Sequence, residues 1–144
     1  MTEIARQKIF EKLQLLDEHF AYLEKLKTEI QDEEQFLSDF HIFASTERYL
    51  QLSYQAIIDI LDLIIIEQGI EKPEDRKEIV SLLYNKGILS EDLAYRLDGS
   101  IGFRNILVHD YGKIDKKMVY KYLMEKTDDF QVFKREILSW LKKI

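Results

Sequence analysis

Leu13, Leu16, Phe20, Leu23 and Ile30 follow one another at steps of 3, 4, 3 and 7 residues, with Lys27 interrupting the series. Such spacing lays an apolar stripe along one side of an α-helix, so the chain is expected to open with a long amphipathic helix of a bundle or a dimer. A polar break at Gln31-Asp32-Glu33-Glu34 leads into a short helical piece ending near Ser38, then into a helix from about Asp39 to Gln68 that Gly69 stops. At 1.5 Å per residue this long helix spans ~45 Å. Its second half, from Ile57 to Ile66, is apolar on nearly every face and calls for neighbours all round. Arg48, Gln51, Gln55, Asp59 and Asp62, separated by 3, 4, 4 and 3 residues, run along it as one polar stripe. Two readings of the stripe stand side by side: a strip of solvent exposure, or a seam facing a polar site.

Further along, Pro73 suits the first turn of a helix from about Glu74 to Asn85 that Gly87 ends, and Ser90 offers an N-cap for one running from Glu91 toward His109. A last helical region begins at Asp115 and breaks near Thr127-Asp128-Asp129, after which Phe130, Phe133, Ile137, Trp140 and Ile144 recur at helical spacing. No run of four or more residues alternates with period two, and the chain has one proline and five glycines. These patterns predict an all-α, up-and-down bundle of about five to seven helices in a single domain over residues 1–144.

Composition narrows the classes of function. With 46% hydrophobic residues in 144, the chain has enough apolar surface for one compact core. The absence of cysteine removes disulfides and Cys-type metal sites, and the N-terminus enters an amphipathic pattern in place of a signal-peptide core, so a cytoplasmic protein is expected. The apolar stretch Ala56 to Ile66 is interrupted by Asp59 and Asp62 and falls short of the ~20 residues a membrane crossing needs. A net charge of -6 opposes broad attachment to nucleic acid or to an anionic membrane, so any RNA contact is expected to be local. None of His19, His41 and His109 has a Glu three positions earlier, as a carboxylate-bridged di-iron bundle requires, and no metal or other cofactor is expected.

The distinctive chemistry lies in Ile101-Gly102-Phe103-Arg104-Asn105-Ile106-Leu107-Val108-His109-Asp110-Tyr111-Gly112. Its apolar residues point in divergent directions, which implies cover on more than one side, with a subunit interface as the second cover. Arg104, Asn105 and His109 among them are costly to bury without partners or a ligand. They suit either a structural role at a helix C-terminus, which favours cations, or a site. Asn105 and His109 share a face, whereas Arg104 and His109 diverge by about 140° on a straight helix. Their convergence would need a bend, or a twofold dimer that sets both copies around a shared groove. From Arg104 to Lys126, six basic residues stand against Asp110, Asp115 and Glu125, a local balance of +3 that suits either a solvated face or RNA steering.

Arg104-Asn105-x3-His109-x-Tyr111 resembles the Arg-x4-His-x-Tyr signature of HepT-like HEPN proteins, the toxin halves of toxin–antitoxin pairs (type II or type VII) with a minimal nucleotidyltransferase. The resemblance extends to the Arg48-bearing helix with its Ala56-Ile57-Ile58-Asp59-Ile60 run, to Leu82-x4-Gly87-Ile88-Leu89, and to Gly102-Phe103, and so covers most of the chain. It implies a HEPN-type bundle and a metal-independent endoribonuclease acting on RNA, tRNA among the candidates, at a composite homodimer site. His109 would exchange protons around the ribose 2′-hydroxyl and Arg104 would hold the scissile phosphate, roles that an imidazole titrating near neutrality and a permanently charged guanidinium can fill. Asn105, Arg48 and Asp59 would support them. Tyr111 would be where the cognate nucleotidyltransferase antitoxin attaches AMP, placing bulk and negative charge beside the site; a partly buried aromatic with one hydrogen bond is the plainer reading of that residue. The rival to the enzyme is a non-catalytic, all-helical dimeric binding module that partners a nucleotidyltransferase or binds nucleotide. A plain scaffold, in which the motif only packs an interface, is the third reading.

Overall fold

The computed structural model describes residues 1–109 and 114–144, and among these residues the only regular secondary structure is helical. In chain order the helices are α1 (Glu3–Glu29), α2 (Glu33–Ser38), α3 (Phe40–Glu67), a 3-10 turn (Arg76–Glu78), α4 (Ile79–Asn85), α5 (Glu91–Arg96), α6 (Ser100–His109), α7 (Lys116–Glu125) and α8 (Asp128–Lys143).

Local chemistry explains most of the boundaries. Helix N-termini leave backbone N–H groups without partners, and short polar side chains supply acceptors for them. Thr2 accepts from the Ala5 N–H at 3.1 Å, Asp32 from Gln35 at 2.8 Å, Asp39 from His41 and Ile42 at 3.1 Å each, and Ser90 from Leu93 at 3.1 Å. Gly69, at φ +64°, ends α3, and the Ile70 N–H then reaches back to the Ile65 carbonyl at 3.0 Å, closing the last turn.

α3 is the centre of the bundle. Twelve of its side chains are buried, and α1, α2, α4, α6 and α7 pack against it. Over 18 residues its mean hydropathy of 1.5 would suit a membrane crossing, yet 56% of that window is buried inside the protein. α1 contributes Ile9, Leu13, Leu16 and Leu23 to the same core, α6 contributes Ile101, Phe103 and Leu107, and α8 contributes Phe130, Phe133 and Ile137. Trp140 packs on the edge of this core and Ile144 is exposed.

Two sequence expectations are corrected. The helix expected from Glu74, with Pro73 in its first turn, begins as α4 only at Ile79, after the 3-10 turn. The chain is re-capped at Asp75, whose carboxylate accepts from the Lys77 N–H at 3.0 Å, while Arg76 is drawn to Asp62 of α3 at 2.6 Å. The continuous helix expected from Glu91 to His109 is broken between Arg96 and Ser100. Gly99 adopts φ +78°, a conformation that side-chain-bearing residues avoid, and the bend lets Leu93 and Leu97 of the α5 arm and Ile101 and Phe103 of α6 all reach the core.

Gly99 and Gly102 therefore respond in opposite senses to alanine. Gly99→Ala is expected to lose ~1–2 kcal/mol from the left-handed backbone, and Gly102→Ala to gain ~0.5–1 kcal/mol inside a helix. A Cβ on either glycine meets nothing closer than 3.9 Å, so the backbone term decides both signs. Chemical denaturation of the two variants checks the contrast.

Candidate active site

The polar stripe of α3 divides into two regions. Gln55, Asp59 and Asp62, in its second half, line a cavity of about 320 Å³ together with Arg104, Asn105 and His109 of α6 and Arg76 of the 3-10 turn. This is the seam-facing-a-site arrangement. Arg48, at the other end of the stripe, is exposed and is not brought to the cavity; its charge acts on His19 of α1. Gln51 lines a separate recess with Leu107 and Val108.

Within the cavity a chain of hydrogen bonds fixes Arg104. Its Nε donates to Gln55 Oε1 at 2.8 Å, its Nη2 donates to the same oxygen, and its Nη1 donates to Asn105 Oδ1 at 3.1 Å. Gln55 Nε2 donates in turn to Asp59 Oδ1 at 2.7 Å, and Lys12 of α1 pairs with Asp59 Oδ2 at 3.0 Å. The direction of this chain matters. Asp59 needs a donor and so turns the Gln55 amide to present its oxygen to Arg104. Both partners of Arg104 are neutral amides. Lys12 and Arg76 are paired with Asp59 and Asp62, while none of the ion pairs among the described residues includes Arg104. The guanidinium is held in place without being neutralised, which suits it to an anion in the cavity.

His109 ends α6, exposed, at the border of the same cavity. Arg104 and His109 leave the helix in divergent directions, yet both border this one space, with Asn105 between them in sequence. The motif segment is covered by the bundle at Ile101, Phe103 and Leu107, whereas Ile106 and Val108 are half-buried. Tyr111 lies outside the described residues. Among the described residues no group of three or more His, Cys, Asp or Glu side chains is placed to hold a metal ion.

The sequence points to Asp59 as a supporting residue and to Gln55 only as a member of the polar stripe, and it does not single out Arg76 or Lys12. Gln55 had a visible signal, since it shares the stripe with Asp59 at i,i+4. Arg76 and Lys12 had none, because their contacts join segments 14 and 47 residues apart.

A profile of the family described as "Ribonuclease HepT-like" matches residues 16–137. The chain belongs to the HepT-like ribonuclease family. It is 33% identical over 141 residues to the tRNA nuclease HepT of Aphanizomenon flos-aquae, covering 98% of this chain and 95% of that protein. It is 30% identical over 102 residues to the mRNA nuclease HepT of Shewanella oneidensis, covering 71% of this chain and 77% of that one. Among solved structures, the tri-AMPylated HEPN toxin of Shewanella oneidensis in complex with MNT antitoxin superposes with a TM-score of 0.80 at 25% identity, over 96% of this chain and 99% of that one. A toxin–antitoxin complex with AMP-PNP gives 0.81 at 25% identity, over 92% and 98%. The HEPN fold expected from the sequence is thus the fold of the chain. The match to the HepT-like family takes in every residue of the hydrogen-bonded chain at Arg104 except Lys12.

The other two histidines of this HepT-like chain stand away from the cavity. His41 stacks on Phe40 with ring centroids 4.1 Å apart at the start of α3. His19 packs with Tyr22 and Tyr49, its Nδ1 buried without a hydrogen-bond partner. Burial, opposed by Glu18 and reinforced by Arg48, lowers its pKa from the ordinary histidine value. Below that ordinary value of ~6.5 the unfolded chain therefore binds a proton at His19 that the folded chain resists, so folding stability falls as pH falls. Denaturant titrations from about pH 7 to about pH 5 are expected to show wild type losing stability relative to His19→Gln.

Proposed function

We propose that the chain is the cytoplasmic ribonuclease toxin of a toxin–antitoxin pair and cleaves RNA without a metal at Arg104 and His109. The observation that carries this reading is the state of Arg104: fixed by Gln55 and Asn105, un-neutralised, and facing a cavity that His109 borders. The guanidinium holds non-bridging oxygens of the scissile phosphate. The ribose 2′-oxygen attacks phosphorus, the bond to the 5′-oxygen breaks, and a 2′,3′-cyclic phosphate and a 5′-hydroxyl result. One imidazole accepts the 2′-hydroxyl proton and another delivers a proton to the leaving 5′-oxygen. Each chain offers one histidine at the site, so the step calls for a homodimer whose twofold axis brings two copies of His109 to one RNA phosphate. The exposed position of His109 at the end of α6 leaves its imidazole within reach of a second copy.

Relatives named as a tRNA nuclease and an mRNA nuclease support RNA as substrate, and the AMPylated toxin seen with MNT antitoxin supports a nucleotidyltransferase partner that attaches AMP to Tyr111. AMP there would add negative charge a short step from His109 and oppose entry of the RNA phosphate.

Purified protein incubated with labelled tRNA in EDTA is expected to cleave it. His109→Ala and Arg104→Ala are each expected to reduce the rate by about a hundredfold or more, as for loss of an acid–base or charge-stabilising group, with unchanged helical content by circular dichroism. Gln55→Glu neutralises Arg104 and removes the amide donor to Asp59, and at least about a tenfold loss is expected. Incubation with ATP and the cognate nucleotidyltransferase should add AMP to wild type but not to Tyr111→Phe, by intact mass. Cleavage by His109→Ala at the wild-type rate would refute the mechanism, and no cleavage by any form would leave a dimeric binding module as the reading.

A further inference from the structure

A second groove begins where the candidate site ends. Asn105 and His109 border not only the cavity of Arg104 but also a recess of about 470 Å³ on the other side of α6, which contains Lys77, Gly99 and Gly102. The same three residues line a larger cavity of about 620 Å³ between the 3-10 turn, α4, α5 and α6, which Tyr84 and Tyr95 also line, with Asp98 beside Gly99 near the junction. The two hollows therefore adjoin along Lys77, Gly99 and Gly102 and are taken together as one groove.

Three features of the groove point to a nucleic-acid strand. Tyr95 is 80% exposed, so its ring packs against little of the protein, and Tyr84, which lines the same cavity, is 41% exposed. Lys77 crosses the junction: its Cε lies 3.9 Å from where a Cβ on Gly102 would stand. Gly102, Asn105 and His109 share one face of α6, so Lys77 lies over the same helix face as the reactive end, about 10 Å away along the axis. Among the described residues neither Lys77 nor Asp98 forms an ion pair, so both are open to a ligand. Asp98 and Glu91 both line the larger hollow and make it acidic. That charge disfavours a phosphate there and suits the N–H donors on the edge of a base.

We propose that this groove is a subsite for the single-stranded nucleotides that flank the cleaved bond, resting on the reading of Arg104 and His109 as the cleavage centre. Lys77 holds a backbone phosphate at the junction, an unpaired base stacks on Tyr95, and Asp98 accepts hydrogen bonds from that base's donor edge, which favours guanine over uracil. Gly102 keeps the floor open between the two hollows.

The test uses the full chain, a cleavable short RNA and the same RNA with a 2′-deoxy substitution at the scissile nucleotide, read by cleavage kinetics and by fluorescence anisotropy. Tyr95→Ala, Lys77→Ala and Gly102→Leu are each expected to weaken binding of the deoxy-substituted strand about tenfold, in the range found for loss of one stacked base, with the loss falling on KM for the cleavable strand. Asp98→Asn is expected to reduce the preference for guanine over uracil. His109→Ala should bind like wild type and not cleave. If His109→Ala is inactive while the groove variants bind and cleave like wild type, the subsite is wrong and the cleavage centre stands. If wild type binds the strand and the groove variants weaken it but no form cleaves, the subsite stands and the cleavage reading falls. Wild-type RNA binding by the groove variants together with a loss of dimer in solution would assign the groove to a second copy of the chain and overturn the proposal.

Discussion

A 28-residue helix with twelve buried side chains is stable only when neighbours cover it on several sides, and the bundle supplies them from α1, α2, α4, α6 and α7. The same helix carries polar residues at Gln55, Asp59 and Asp62, half-buried among isoleucines, and each of these must find a partner or lose the free energy of its hydration. Their partners come from three different segments: Lys12 on α1, Arg76 on the 3-10 turn and Arg104 on α6. Satisfying the polar face of α3 is thus what fixes the segments around the cavity relative to one another. The site is a consequence of how the core helix is solvated by its own protein.

That requirement also sets the electrostatics. Two carboxylates line the cavity and two cations pair with them, which leaves Arg104 to be held by amides. A carboxylate in place of Gln55 would cancel the charge of Arg104 and would leave Asp59 without its amide donor. In a chain of net charge -6, attraction of RNA by the surface as a whole is disfavoured, and under the proposed function it would rest on a few fixed cations such as Arg104.

Much of this was legible in the residues, for identifiable reasons. Helix ends written in side-chain chemistry, such as Ser90 as an N-cap and Gly69 as a stop, are legible in the sequence because capping is local. The motif from Arg104 to His109 was legible because its residue types are costly in an apolar helix. The break at Gly99 was missed although Asp98-Gly99 is a turn signal, because the apolar spacing on either side is compatible with one continuous helix. The displaced start of α4 reflects competition between Pro73 and Asp75 that Arg76 settles by reaching α3, a tertiary contact. Arg48 and Asp59 looked equivalent on the stripe, yet α6 crosses α3 near Gln55, two turns beyond Arg48, and that crossing point is not written in any local pattern.

The ends of the cleaved RNA report directly on the chemistry proposed for Arg104 and His109. Mass spectrometry of fragments produced in EDTA is predicted to find 2′,3′-cyclic phosphates paired with 5′-hydroxyls, the products of attack by the neighbouring 2′-oxygen. Fragments ending in 3′-hydroxyl and 5′-phosphate would mean that water attacks the phosphorus, and would contradict the account.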